Sequence, residues 1–167
     1  MATSRTYTVG SGPIGVSTTS QTGLLLGSTN STTKVAIQAL RVGVHSGSGA
    51  SYPSNADAYW YLARPTNTPS GGTASTPTPH AGVSSPQAAN STWTVGSWTT
   101  APTAPTDIAG GVLWSIPTAL SAGANWGEWV TPQSEWEVGP SSYVAMWVTC
   151  SSAPTSVSFM CELIIAE

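Results

Sequence analysis

Two histidines, His45 and His80, and seven carboxylates hold most of the acid–base capacity of this 167-residue chain. A histidine working as a general base needs an orienting partner and a nucleophile or water within hydrogen-bond reach. Neither His45 nor His80 lies in a G-x-S-x-G or H-E-x-x-H pattern, and both sit among Gly, Ser, Thr and Pro, which reads as surface placement. The acids Asp57, Asp107, Glu128, Glu135 and Glu137 form no D-x-D-x-D-G loop, the pattern that would wrap calcium. Glu135 and Glu137 are two apart, as on one face of a strand. They read as solvated carboxylates, with a cation bridging subunits as the alternative. The expectation is a protein without catalytic residues, metal or cofactor.

Cys150 and Cys161 are the only cysteines and lie inside apolar runs, where a thiol commonly acts as a small buried hydrophobe. Free thiols are the expectation and a disulfide the alternative. Eight tryptophans are many for this length, and Trp126, Trp129 and Trp136 alternate with Glu128, Glu135 and Glu137. Such a cluster has the chemistry of a glycan-stacking platform with polar rims. The competing reading, which we favour, is that tryptophans fill the core and interfaces of a chain with one Phe.

The elements carrying these residues read as strands. Only 7% of the residues are charged, against roughly 25% in an average soluble protein. Ser, Thr, Gly and Pro take the place of the helix-favouring Glu, Lys and Arg. The four basic residues, Arg5, Lys34, Arg41 and Arg64, are scattered and the net charge is −3, so no basic patch exists to neutralise a run of phosphates and nucleic-acid binding is not expected. No apolar stretch is long enough for a membrane helix, and the polar start lacks the core of a secretory signal, which leads us to expect a soluble product made without export.

Short strand-like runs recur between turn signals: Tyr7 to Val9, Leu24 to Leu26 in a hairpin-like entry, Lys34 to Val44, Tyr59 to Ala63, Val112 to Ile116 and Trp126 to Val130. Ser142 to Cys150 and Val157 to Ile165, joined by Ser151-Ser152-Ala153-Pro154, read as an antiparallel hairpin. The pattern predicts one all-β domain over 1–167, an antiparallel β-sandwich of jelly-roll-like form. Residues 1–12 are a candidate extended arm. Residues 65–106, rich in Pro, Thr and Ser, read as a long excursion, partly ordered because Trp93, Val95 and Trp98 interrupt it. In the strand from Tyr143, one face carries Val144, Met146, Val148 and Cys150 and the other Tyr143, Ala145 and Trp147. A strand apolar on both sides needs a second cover. Another subunit over Tyr143, Ala145 and Trp147 is the expectation, and a loop of the same chain is the alternative.

Three segments carry a resemblance: Arg5-Thr6-Tyr7-Thr8-Val9; the centre Ser75-Thr76-Pro77-Thr78-Pro79-His80 with Ala88-Ala89-Asn90-Ser91-Thr92; and Val138-Gly139-Pro140 leading into Tyr143 to Val148. In them the chain resembles a group of small structural proteins from tailed bacteriophages of actinobacteria, departing in its low charge and many tryptophans. The resemblance implies a virion protein on the outer surface of the phage head. Such a decoration protein would be made in the host cytoplasm and bind the major capsid protein as a homo-oligomer, expected to be a trimer. The alternatives are a tail-associated or host-recognition module binding surface glycans through Trp126, Trp129 and Trp136, and a secreted or cell-surface binding domain.

Overall fold

The apolar alternation of the chain resolves into two antiparallel sheets packed face to face, a β-sandwich. The computed structural model describes residues 5–15, 22–51, 57–79, 87–105, 112–119, 126–131, 136–152 and 154–167. The first sheet contains β1 (Thr6–Gly10), β2 (Ile14–Gly15), β4 (Val35–Ser51), β7 (Thr78–Pro79), β10 (Trp126–Val130), β11 (Trp136–Val138) and β13 (Thr155–Ala166). Its order is β10-β4-β13-β1-β7, with β11 also on β4 and β2 on β13. The second contains β3 (Thr22–Ser28), β5 (Asp57–Ala63), β6 (Ser70–Ala74), β8 (Thr92–Thr100), β9 (Val112–Ala119) and β12 (Tyr143–Cys150), in the order β6-β8-β3-β12-β5-β9.

The β13–β4 ladder is the spine of the first sheet. Val157, Phe159, Cys161, Leu163 and Ile165, every second residue of β13, are buried, as a strand with one face on the core requires. In β4 the apolar residues change phase, with Val35 and Ile37 odd and Leu40, Val42 and Val44 even, and the sequence assigns them to opposite faces. All five are buried in one core. The ladder explains this, because Ile164 pairs with Ala39 and Ile165 with Ile37. Gln38 is therefore the extra residue of a bulge that turns both sets inward. Trp60 of the second sheet meets Phe159 of the first at 5.4 Å between ring centroids and 58° between planes, a tilted contact tying the layers together.

Two expected hairpins are corrected. β12 pairs with β3 and β5, whereas β13 pairs with β4, β1 and β2, so the turn after Cys150 carries the chain from one sheet to the other. Likewise β1 and β3 lie in different sheets. Both β12 and β13 have neighbours on each side, and a turn sequence does not say whether the next strand pairs or crosses the core. Residues 6–10, within the candidate arm, form β1 between β13 and β7. The tract 65–106 supplies β6, β7 and β8, and Trp93 from its middle is a core residue.

Candidate interaction surface

The outward face of the second sheet is where the sequence places Tyr143, Ala145 and Trp147. It bears its own apolar cluster of Leu26, Tyr61, Ala63, Ala104, Ala145 and Trp147, with Trp98 and Tyr143 packed against it. Trp147 stacks on Tyr61 at 5.4 Å with 13° between the ring planes. The cover comes from the same chain. After β8 the segment Ala101-Pro102-Thr103-Ala104-Pro105 lies as an extended strap over the face, with Pro102 and Ala104 buried and Ala101 and Thr103 exposed. Asn67 clips it down: its Nδ2 donates to the Ala101 carbonyl at 2.8 Å and its Oδ1 accepts the Thr103 N–H at 2.8 Å. The Thr66 N–H donates to the Thr103 carbonyl at 2.9 Å. The expected subunit cover of Ala145 and Trp147 is thus corrected to an intrachain strap, since each is 1% exposed in the single chain. Tyr143 is half-buried at the rim.

Trp98 is seated by glycines. A Cβ on Gly23 would lie 3.0 Å from its ring and one on Gly72 would lie 2.7 Å from it. Gly72 also has φ +102°, a backbone that side chains disfavour. Trp93 is seated the same way on the core side, opposite Gly27 in the ladder. Its Nε1 donates to Ser91 Oγ at 2.8 Å. Ser91 in turn donates its N–H at 3.0 Å, and its hydroxyl as well, to the Glu167 carboxylate. Asn90 N–H reaches the same carboxylate at 2.7 Å. Sequence reasoning missed this clamp and the Asn67 clip, because both join residues far apart in the chain.

The tryptophans proposed for glycans are dispersed in the ladder. Trp126 pairs opposite Val44, Trp129 opposite Arg41 and Trp136 opposite Ile37. Val44 is buried and Arg41 exposed, so the backbone does not set positions 126 and 129 on one face. Trp136 packs against the inter-sheet core. Of the chemically capable residues, His45 is exposed in β4 opposite Ser158. Glu137 pairs with Ala36, nine residues along the same strand and so roughly 30 Å away at the rise of a β-strand. Glu128 lies in β10 opposite Val42, and Asp57 begins β5. His80, Asp107 and Glu135 lie outside the described residues.

No family model, curated protein or solved structure matches this chain. The surface must therefore be read from its own chemistry. Cys150 and Cys161 are free, and burial pushes their thiols up to about 11 and about 12, so neither is a ready nucleophile. A half-open recess of about 220 Å³ lies among Gly10, Gly12, Arg41, Met160, Cys161 and Glu162. Arg41 and Glu162 form a 3.8 Å ion pair there, both well exposed, and such pairs stabilise little. Among the described residues one large apolar side chain is left open to solvent, Tyr59 in β5, which is 51% exposed.

Proposed function

We propose that this protein is a non-enzymatic structural component of a virion, a decoration protein that binds the outside of an icosahedral phage head as a homo-oligomer and stabilises it. The observation that carries the reading is the construction of the surface. The β-sandwich is rich in Ser, Thr, Gly and Pro with 7% charge, and several of its polar side chains fasten its own loops. Thr29 Oγ donates to the Gly139 carbonyl at 2.6 Å, and Asn30 Oδ1 accepts the N–H groups of Thr32 at 2.9 Å and Thr33 at 2.7 Å. Asn67 and Glu167 do the same elsewhere. Loops fixed in this way lose little conformational entropy on docking, which favours binding by broad contact.

The mechanism is mass action. A protein that binds the assembled shell and not its dissociated subunits stabilises the shell by the free energy of its own binding. An oligomer attached through several copies raises its apparent affinity without stronger individual contacts. The segment-wise resemblance to phage structural proteins supports the head as the partner. The test is sedimentation of the purified protein with phage heads stripped of outer proteins. Saturable co-sedimentation, together with heads that resist heat or chelation better, is the expected result; protein that stays in the supernatant at every ratio refutes the reading.

A further inference from the structure

The recess beside Arg41 lies where three ladders line up one row of residues across four strands. Trp129 of β10 is the register partner of Arg41 in β4, Arg41 of Glu162 in β13, and Glu162 of Gly10 in β1. The row falls in a regular stretch, since the shifts of β13 on β4 lie away from it, at Thr155/Val157 and Ile164/Ile165. Residues directly opposite one another in antiparallel strands share a face. The flanking Val9, Leu40, Val42, Cys161 and Leu163 are buried in the core, so the row belongs to the outward face of the first sheet. At a strand spacing of about 4.8 Å it spans roughly 14 Å.

Glycines open the row at its β1 end. A Cβ on Gly10 would lie 3.2 Å from the Cys161 carbonyl oxygen and 3.8 Å from Glu162 Cγ, so a side chain there would crowd the Glu162 stem. Gly12, at φ +66°, has nothing within 4 Å of its Cβ position. The backbone of this floor is fixed. Ser75 Oγ donates to the Gly10 carbonyl at 2.6 Å, the Ser11 N–H to the Cys161 carbonyl at 2.9 Å, and the Cys161 N–H to Ser11 Oγ at 3.0 Å. Arg41 and Glu162 border it 3.8 Å apart, their side chains 48% and 37% exposed, and Met160 completes the lining.

The recess therefore offers a ligand a donor and an acceptor side by side, no net charge, and a floor of backbone and thioether. A phosphate or carboxylate ligand meets the Glu162 charge, and a cation meets Arg41. The neighbouring hydroxyls of a sugar ring are neutral and each both donates and accepts, which matches the pair without a charge conflict. The volume of about 220 Å³ lies below the roughly 300 Å³ at which pockets for drug-sized ligands begin, so the recess takes one ring. We infer that it is a subsite for a neutral saccharide, in which Glu162 accepts from and Arg41 donates to adjacent hydroxyls. Trp129, two strands from Glu162 and so about 10 Å along the row, holds the position for a second ring, since aromatic residues suit ligands with one apolar face and polar edges. Neither Trp126 nor Trp136 takes part. The site adds to the proposed structural role and does not depend on it.

The experiment is titration of the 15N-labelled full chain, followed by amide correlation spectra, with methyl glycosides of glucose, galactose and mannose and with maltose, lactose and mannobiose. At least one glycoside is expected to give saturable shifts confined to Gly10, Gly12, Arg41, Glu162 and their neighbours, and its disaccharide to bind more tightly. Glu162→Gln and Arg41→Gln are each expected to weaken binding at least about tenfold, with the rest of the spectrum unchanged to show that the variant is folded. Trp129→Ala is expected to remove the advantage of the disaccharide and leave the single ring bound as before. The inference is overturned if no glycoside moves these amides, if inorganic phosphate or free glycine moves them and no glycoside does, or if both pair variants bind like wild type. A disaccharide advantage that survives Trp129→Ala overturns the role given to Trp129.

Discussion

Replacing Gly27 with alanine tests how the tract around Trp93 is held to the sandwich. A Cβ at Gly27 would lie 2.5, 2.6 and 2.8 Å from Cζ3, Cη2 and Cε3 of Trp93, whereas carbon atoms sit comfortably at about 3.5–4.0 Å. The ring must retreat by roughly 1 Å to restore that contact distance. It has little freedom to do so, being 2% exposed and held by Ser91 Oγ at 2.8 Å. Overpacking of this kind costs about 1–3 kcal/mol, and loss of the Ser91 hydrogen bond adds about 1 kcal/mol. For a chain of this size Gly27→Ala should lower Tm by roughly 4–16 °C. Gly15, whose Cβ would meet nothing within 4 Å, supplies the control: Gly15→Ala should change stability by no more than about 0.5 kcal/mol. Differential scanning calorimetry reads both, and Trp93→Leu in the Gly27→Ala background should cost less than the two changes summed. A Gly27→Ala protein melting with wild type would show that Trp93 does not sit on Gly27.

Asn67→Ala removes both side-chain bonds that clip the strap and should lower stability by about 1–2 kcal/mol, with hydrogen exchange at Thr103 accelerating ahead of the core strands. The hydroxyl of Tyr61 is buried with no hydrogen-bond partner among the described residues, and burial raises its pKa well above the ordinary value. Tyr61→Phe should therefore keep the stack on Trp147 and raise Tm, since an unpaired buried polar group costs about 1–3 kcal/mol; a lower Tm would argue against that reading. The Cys161 thiol is pushed up by burial from 9.0 to about 12. Its contribution to stability is complete below pH 9.0 and is lost as pH rises from 9.0 through about 12. Cys161→Val should flatten the fall of Tm over that window, and a fall as steep as wild type would contradict the assignment.

Strand positions were legible because the apolar residues of β12 and β13 alternate, and so was Cys161 as a buried thiol in a strand, whereas Cys150 at the end of β12 is only partly buried. Pairing was not. Ser151-Ser152-Ala153-Pro154 has the composition of a hairpin turn, yet it joins two sheets, because the neighbours of β12 and β13 come from residues 22–63 and 6–51. The phase change in β4 looked like two apolar faces, because one inserted residue, Gln38, is invisible without the opposing ladder. The need to cover Trp147 was readable from the strand itself. Its cover was misjudged because Pro102 and Ala104 carry no local signal and depend on Asn67, some 35 residues earlier, to hold them down. The Trp126, Trp129 and Trp136 cluster is close in sequence but spread along β4, and proximity along a chain of short strands says little about shared faces.

The proposed role requires this sandwich to bind an assembled shell. Stripped phage heads titrated with the purified protein and counted by quantitative sedimentation test it most directly. A saturable plateau at a fixed ratio to capsid subunits is the expected result. No plateau, or no heads-dependent sedimentation at all, would contradict it.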